Sequence, residues 1–131
     1  IQFEKRDIQE FLGQTNLSLD AIFAIDVIHY FDFETQIEIL KKCHQVLLKQ
    51  QGVLVFRELL KDKSLSYWLN FVYEKIASFT GLTKSKNKAN IFLRSKGEWH
   101  ELLTQLEFEF ESSRSGLPIF NDYLFVARPK T

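Results

Sequence analysis

Side chains that can carry charge or a proton follow the apolar segment Ala21–Ile25, in the phrase DVIHYF. Asp26 comes first. Its carboxylate can offset a positive charge or accept hydrogen bonds, and its simpler role is to cap or turn the chain. His29 and Tyr30 follow in an aromatic loop, where an imidazole can hold a proton and a phenol can donate a hydrogen bond. The sequence alone does not make His29 a general base, so contact with a ligand is the favoured role.

A second apolar segment, 53–56, is followed directly by Arg57 and Glu58. Such a pair can orient a carboxylate or a hydroxyl of a bound molecule, and it can equally form a surface ion pair. Exposed ion pairs contribute only about 0–1 kcal/mol to stability, so stability is a weak reason for this pair. The two polar groups, one beginning at Asp26 and the other at Arg57, therefore each follow directly after an apolar segment.

One strand–helix–strand unit connects the two polar groups. The nearly continuous apolar run Ala21–Ile25 is typical of a buried parallel strand, and Asp32 fits the N-cap of a following helix. Gly52 fits the C-terminal stop of that helix, and 53–56 predicts the second strand. Residues at helical spacing predict the buried stripe of the helix, namely Ile37, Leu40, Cys43 (or His44) and Leu47.

Weaker patterns flank this unit. Residues 1–6 alternate as a short strand would, and residues 7–12 fit a helical turn. Residues 64–80 predict a helix with one apolar face. The polar stretch 83–96 is interpreted mainly as a solvated loop, with a lid that attracts an anionic substrate as the alternative. It contains five basic residues and no acid, namely Lys84, Lys86, Lys88, Arg94 and Lys96.

The end of the chain predicts a helix and an antiparallel hairpin. Ser95 and Glu98 form a capping box ahead of a helix that contains Trp99, for which core packing is the expected role. Residues 108–112 alternate as a strand would, and 123–127 form a last apolar strand. Only about ten residues separate these strands, which is too few for a crossover helix, so we expect antiparallel pairing. The pattern predicts an α/β domain with a mostly parallel sheet, helices on its faces and an antiparallel C-terminal hairpin.

Composition bounds the function classes. The chain has 131 residues, of which 45% are apolar, enough for one globular domain. The 17 basic and 17 acidic residues cancel, which argues against a nucleic-acid partner, and no apolar run reaches the ~20 residues of a membrane span. Cys43 is alone and predicted to be buried and inert, so the cytoplasm is the simplest location. The spacing of His29, His44 and His100 predicts no metal site.

The chain contains no Met and begins Ile-Gln-Phe. We interpret it as a piece of a longer protein. The alternative is a complete protein whose start has been removed.

The run DAIFAIDVIHYFDFETQIEILKKCHQVLLKQQGVLVFRE, from Asp20 to Glu58, resembles the second half of the Rossmann-like (class I) methyltransferases that use S-adenosylmethionine. A sheet that ends in an antiparallel hairpin is a trait of that fold. The resemblance implies that 1–131 is one domain, the C-terminal portion of a methyltransferase domain that lacks the glycine-rich cofactor loop. One departure is Leu106-Glu107-Phe108, since many members have a glycine before this last Phe.

The resemblance implies a set of cofactor-binding residues. Asp7 matches the acid that accepts a hydrogen bond from the adenine amino group, with a helix N-cap as its alternative role, and Ile8 would pack on the base. Asp26 and Val27 would lie near the sulfonium, where an acid helps offset positive charge. His29 would contact the cofactor or the substrate. A general-base role is not implied, because loops of this family often carry a His without using it in catalysis.

The acceptor substrate is expected on the same side. Tyr30, Arg57 and Glu58 match the positions that face it in the family. The resemblance implies methyl transfer from S-adenosylmethionine to a small-molecule or carrier-bound acceptor by the parent enzyme, with this chain alone inactive.

The alternative is a non-catalytic, methyltransferase-like interaction or dimerisation module. In the parent fold the strand Ala21–Ile25 has further strands beside it, which this chain lacks, so its edge is expected to be bare. A bare apolar edge is prone to pair with other strands. We expect residues 1–6 or a second copy of the chain to cover it, the latter giving a homodimer.

Overall fold

The computed structural model describes residues 5–14, 16–61, 91–116 and 121–131. None of the helices in this part of the chain is long and apolar enough to cross a membrane. The described elements are, in chain order, α1 (Ile8–Leu12), β1 (Ala21–Ile25), a 3₁₀ helix (Ile28–Tyr30), α2 (Phe33–Leu48), β2 (Val53–Leu59), α3 (Lys96–Gln105), β3 (Phe108–Ser115) and β4 (Asp122–Pro129).

Some predictions fall outside the described residues. The helix predicted at 64–80 and most of the loop predicted at 83–96 lie there, as does most of the strand predicted at 1–6. Lys5 and Arg6, which are described, do not belong to a strand.

The strands form one mixed sheet with the order β1-β2-β4-β3. β1 and β2 are parallel, with Ala24 opposite Phe56, and α2 connects them. β2 pairs antiparallel with β4, which pairs antiparallel with β3. The predicted strand–helix–strand unit and the predicted terminal hairpin are confirmed, and the fold belongs to the α/β class.

Capping side chains begin α2 and α3 where the sequence predicts. The Asp32 carboxylate accepts from the Thr35 N–H at 2.8 Å, and this backbone hydrogen bond lowers the pKa of Asp32. Ser95 Oγ accepts from the Glu98 N–H at 3.2 Å, and the Glu98 carboxylate accepts from the Ser95 N–H at 2.6 Å. The backbone hydrogen bond from Ser95 lowers the pKa of Glu98. Each cap satisfies backbone donors that have no partner inside the helix.

α2 buries one face. Leu40, Cys43 and Leu47 of the predicted stripe are buried, whereas Ile37 is half-buried. Burial raises the pKa of the Cys43 thiol to about 12, so the thiol stays protonated at neutral pH and is inert, as predicted. The polar side chain of Gln36 is also buried on this helix, which the periodicity did not predict.

Aromatic side chains join the two longer helices to the sheet. Trp99 of α3 is buried, and its ring centroid lies 5.2 Å from that of Phe56 and 6.1 Å from that of Phe125. Phe56 and Phe125 stack at 4.7 Å on neighbouring strands, and His44 of α2 contacts Phe108 edge-on at 5.0 Å. The strand register puts these phenylalanines on one face of the sheet, so α2 and α3 cover the same face.

The opposite face of β1 is open. Phe23 is 70% exposed and Ile25 is 47% exposed. Within the part of the chain that the structure describes, β1 pairs only with β2 and forms an edge of the sheet. Parallel strands in proteins are normally covered on both faces, so β1 presents apolar surface that the described elements leave uncovered.

Gly52 follows the end of α2, but it does not adopt the left-handed conformation that a glycine at a helix C-terminus usually has. Its N–H donates to Leu47 O at 2.9 Å, but the left-handed residue is Gln51, with φ of +52°. A Cβ on Gly52 would lie 2.6 Å from Leu19 O and 2.7 Å from Asp20 O. The glycine is therefore required by the close approach of the loop that enters β1.

A left-handed residue also follows α3. Glu107 has φ of +58°, at the position where the family resemblance leads one to expect glycine. A residue with a Cβ costs roughly 1–2 kcal/mol in this conformation, so the departure from glycine carries a local strain.

Replacing Gly52 with alanine should destabilise the fold, because the new Cβ would overlap backbone oxygens that cannot move independently of β1. Overpacking of this kind costs roughly 1–3 kcal/mol, measurable by urea unfolding. Gly97→Ala is the matched control: its Cβ meets only Ser95 Oγ at 4.0 Å, and alanine is the better helix former. Equal stability of the two variants would contradict this account of Gly52.

Candidate functional site

The candidate site lies where the parallel strands β1 and β2 end. Because the carboxyl ends of parallel strands meet at one edge of the sheet, the residues that follow β1 come next to the last residues of β2. Asp26 lies beside Arg57, and the 3₁₀ helix that carries His29 lies beside Glu58. The structure thus brings together the two polar groups that the sequence singles out.

Arg57 and Glu58 do not pair with one another. Successive residues of a strand point to opposite faces, so Arg57 is half-exposed while Glu58 is completely buried. Each has a partner in the segment that follows β1, which is Asp26 for Arg57 and His29 for Glu58.

Asp26 and Arg57 form a two-pronged ion pair. Arg57 Nε donates to Asp26 Oδ1 at 3.0 Å, and Arg57 Nη2 donates to Asp26 Oδ2. The hydrogen bond and the charge of Asp26 raise the pKa of Arg57. Asp26 has left-handed backbone with φ of +54°, a conformation that aspartate adopts more readily than most residues. The pair presents both signs of charge at the strand ends.

Asp122, at the start of β4, belongs to the same neighbourhood. Partial burial and the charge of Asp26 raise the pKa of Asp122, while Arg57 acts in the opposite direction. No motif in the sequence marks Asp122, because its place beside Asp26 depends on the order of strands in the sheet.

The Glu58 carboxylate accepts two hydrogen bonds from the 3₁₀ helix. Ile28 N–H donates to Oε1 at 2.8 Å, and His29 Nδ1 lies 2.6 Å from Oε2. An ionised carboxylate only accepts, so in this contact Nδ1 carries a proton; in a neutral ring the lone pair then lies on Nε2. Glu58 therefore holds one tautomer and one orientation of His29, which a proton acceptor needs.

Further contacts hold His29 on its other side. Its backbone oxygen accepts from the Phe92 N–H at 2.8 Å, and its ring centroid lies 4.4 Å from that of Tyr30. The His29 side chain is almost fully buried, whereas Tyr30 is 57% exposed. Tyr30 is thus available to a bound molecule next to a histidine whose position is fixed.

Asp7 and Ile8 lie at the start of α1. Asp7 Oδ1 accepts from the Gln9 N–H at 2.8 Å and from the Glu10 N–H at 3.2 Å, so Asp7 is the N-cap of the helix. Ile8 is half-buried against the core. The capping role that the sequence left open is present, and the adenine-binding role of Asp7 stays a prediction.

Two of the five basic residues in the predicted loop are described. Arg94 is half-buried rather than solvated: its Nε donates to Gln36 Oε1 at 2.8 Å and its guanidinium lies 4.7 Å from the Phe33 ring centroid. Lys96 lies over the Tyr123 ring at 4.9 Å. Residues 84–88 lie outside the described part, so the lid interpretation stays untested.

Among the described residues, no group of three His, Cys, Asp or Glu side chains could hold a metal ion. The polar groups of the site are instead joined in pairs, as the Asp26–Arg57 and His29–Glu58 contacts. This arrangement suits the binding of a polar molecule and the acceptance of a proton.

No protein-family model matches the chain, and comparison with curated proteins finds no match. Solved structures do match. Magnesium protoporphyrin IX methyltransferase from Synechocystis PCC 6803, solved with SAH bound, has a TM-score of 0.60 at 13% identity, covering 95% of this chain and 49% of that one. Mitomycin 7-O-methyltransferase has a TM-score of 0.66 at 17% identity, covering 95% and 33%.

A third match is described as a pericyclic reaction enzyme, with a TM-score of 0.62 at 13% identity, covering 94% of this chain and 29% of that one. One fold can host different reactions, so the likeness concerns architecture. The chain spans between about a third and a half of the length of the structures first matched. It has the fold of part of a Rossmann-like (class I) methyltransferase domain.

Proposed function

We propose that this chain forms the acceptor-side part of a site for methyl transfer from S-adenosylmethionine to a small-molecule or carrier-bound acceptor. The observation that supports it is the buried His29–Glu58 pair at the carboxyl ends of β1 and β2. Ligands of open α/β sheets bind beside such strand ends. A cytoplasmic location belongs to the same proposal.

The residues proposed to hold the cofactor fit its charges. S-adenosylmethionine carries a sulfonium, an ammonium and a carboxylate. The Asp26–Arg57 pair offers both signs of charge, although the Asp26 carboxylate is already balanced by Arg57 rather than free. Asp7, Ile8, Val27 and His29 complete the proposed cofactor side. When bound, the cofactor supplies an electrophilic methyl group.

The chain's own residues would prepare the acceptor. His29 Nε2 would take the proton from an acceptor hydroxyl, amine or carbon acid when the acceptor becomes the nucleophile. Glu58 would keep the Nδ1–H in place and stabilise the imidazolium that forms. Tyr30 and Arg57, both partly exposed, would orient the acceptor, and such positioning supplies much of the rate enhancement.

We expect S-adenosylmethionine and S-adenosylhomocysteine to bind weakly or not at all to this chain by itself. Its five glycines never form a Gly-x-Gly pattern, so the sequence given contains no glycine-rich turn of the kind that binds a cofactor in such folds. Titration calorimetry of this chain, and of the longest natural polypeptide that contains it, should detect binding only in the longer one. Micromolar binding by the chain alone would contradict the expectation.

His29→Gln should abolish most methyl transfer, because glutamine cannot take up a proton. General-base catalysis is worth roughly 10²–10⁴-fold, so a loss in that range is expected. The assay follows labelled methyl transfer to a panel of hydroxyl, amine and carrier-bound acceptors, in the longest natural polypeptide. His44→Gln on α2 is the matched control and should keep full activity. A His29→Gln variant with unchanged rates would rule out the base role.

A second candidate function has its own observation. The edge of β1, which has no partner strand among the described residues, and the exposure of Phe23 and Ile25 favour a docking or dimerisation module. In this alternative a homodimer forms through the β1 edge, and the site residues keep only structural roles.

If the chain dimerises through the β1 edge, a single positive charge introduced there should dissociate the dimer. Phe23→Lys should convert a dimer into monomers in sedimentation experiments, since it places an ammonium in the apolar contact. Leu48→Lys, at an exposed leucine of α2, is the control and should leave the dimer intact. A wild-type chain that stays monomeric at high concentration would eliminate this candidate.

A further inference from the structure

Gln36 is a buried amide that connects separate parts of the chain near His29. The side chain has no solvent exposure. Its Nε2 donates to Phe31 O and to Phe92 O, both at 3.0 Å, and its Oε1 accepts from Arg94 Nε at 2.8 Å. Three segments meet at one side chain, namely the start of α2, the end of the 3₁₀ helix and the strip 91–95 that leads into α3.

Arg94 determines which way the amide points. A guanidinium Nε–H can only donate, so the oxygen of Gln36 must face Arg94 and the NH₂ group must face the two carbonyls. Arg94 is itself held, because its Nη2 donates to Phe33 O at 3.3 Å and its guanidinium lies over the Phe33 and Trp99 rings. The orientation of the Gln36 amide is thus chemically unambiguous.

The carbonyls that Gln36 binds belong to residues that hold His29. Phe92 donates its N–H to His29 O at 2.8 Å while its own carbonyl accepts from Gln36. Phe31 lies two residues after His29, and its N–H donates to Ile28 O at 3.1 Å. His29 is therefore fixed by Glu58 through its ring and by Phe92 through its backbone, and Gln36 fixes Phe92.

We propose that Gln36 is a positioning residue for His29, acting through Phe31 and Phe92 and oriented by Arg94. This role rests on the function proposed for His29. The Gln36–Arg94 contact also places the strip 91–95 beside the site and connects this strip to the segment that carries the histidine. Arg94, which belongs to the basic stretch singled out in the sequence, thereby serves the site through a buried contact rather than by attracting an anion.

Gln36→Glu is the sharpest test of this role. A carboxylate at this position keeps its attraction to Arg94 but cannot donate to Phe31 O or Phe92 O. Gln45→Glu makes the same change at an exposed position of the same helix and serves as the matched control. The measurements are long-range ¹⁵N spectra of the histidine rings, assigned with single His→Gln variants, and hydrogen exchange of the Phe92 amide.

The wild-type chain should give the Nδ1–H tautomer for His29. In Gln36→Glu we expect a mixture of ring tautomers and a Phe92 amide that exchanges at least roughly tenfold faster, because local opening becomes easier. The control should match the wild type. An unchanged His29 signal and unchanged Phe92 exchange in a folded Gln36→Glu variant would overturn the proposal, and so would equal changes in the control.

If Gln36→Glu does not fold, Arg94→Met tests the positioning role of Gln36 instead. It keeps an apolar side chain against Phe33 but removes the donor that orients the amide, so the same spectral changes should appear to a smaller extent. Their absence would overturn the proposal. None of these measurements involves cofactor or turnover, so a failure of methyl transfer and a failure of the positioning role are separately visible.

Discussion

A carboxylate without solvent has to be satisfied by donors from the protein, and Glu58 meets this requirement with the Ile28 N–H and His29 Nδ1. Leaving such a buried group without partners costs about 1–3 kcal/mol or more. The requirement holds the 3₁₀ helix after β1 against the end of β2. It thereby places the aromatic loop that leads to α2, whose first turn Asp32 caps. The site and the fold share one hydrogen-bond arrangement, so neither can change without the other.

The alternation of side chains along β2 separates two kinds of contact within two consecutive residues. Arg57 faces the open side and pairs with Asp26, whereas Glu58 faces the helices and pairs with His29. Both partners come from the segment after β1, because the two strands run parallel and end together. The outer pair is half-exposed and suited to contact with a ligand. The inner pair is shielded and suited to holding a histidine in one orientation.

Local signals were sufficient for much of the fold but not for the site. The caps at Asp32 and Ser95 and the short link before β4 specify helix starts and antiparallel pairing by local chemistry. The partners of Arg57 and Glu58 could not be predicted, because VLVF before them is apolar on both faces and does not reveal which residue turns inward. The sequence indicates the burial of Gln36 only weakly, through the place of this polar residue four positions before Leu40 of the buried stripe.

We expect ligand to bind at the carboxyl ends of β1 and β2, beside the histidine that Glu58 holds. A crystal structure of the longest natural polypeptide containing this chain, grown with S-adenosylhomocysteine, tests it most directly. The ligand should contact the segment that follows β1, with His29 still hydrogen-bonded to Glu58 through Nδ1 and its Nε2 directed to the site. A ligand bound elsewhere, or a His29 ring turned away from Glu58 and the ligand, would contradict it.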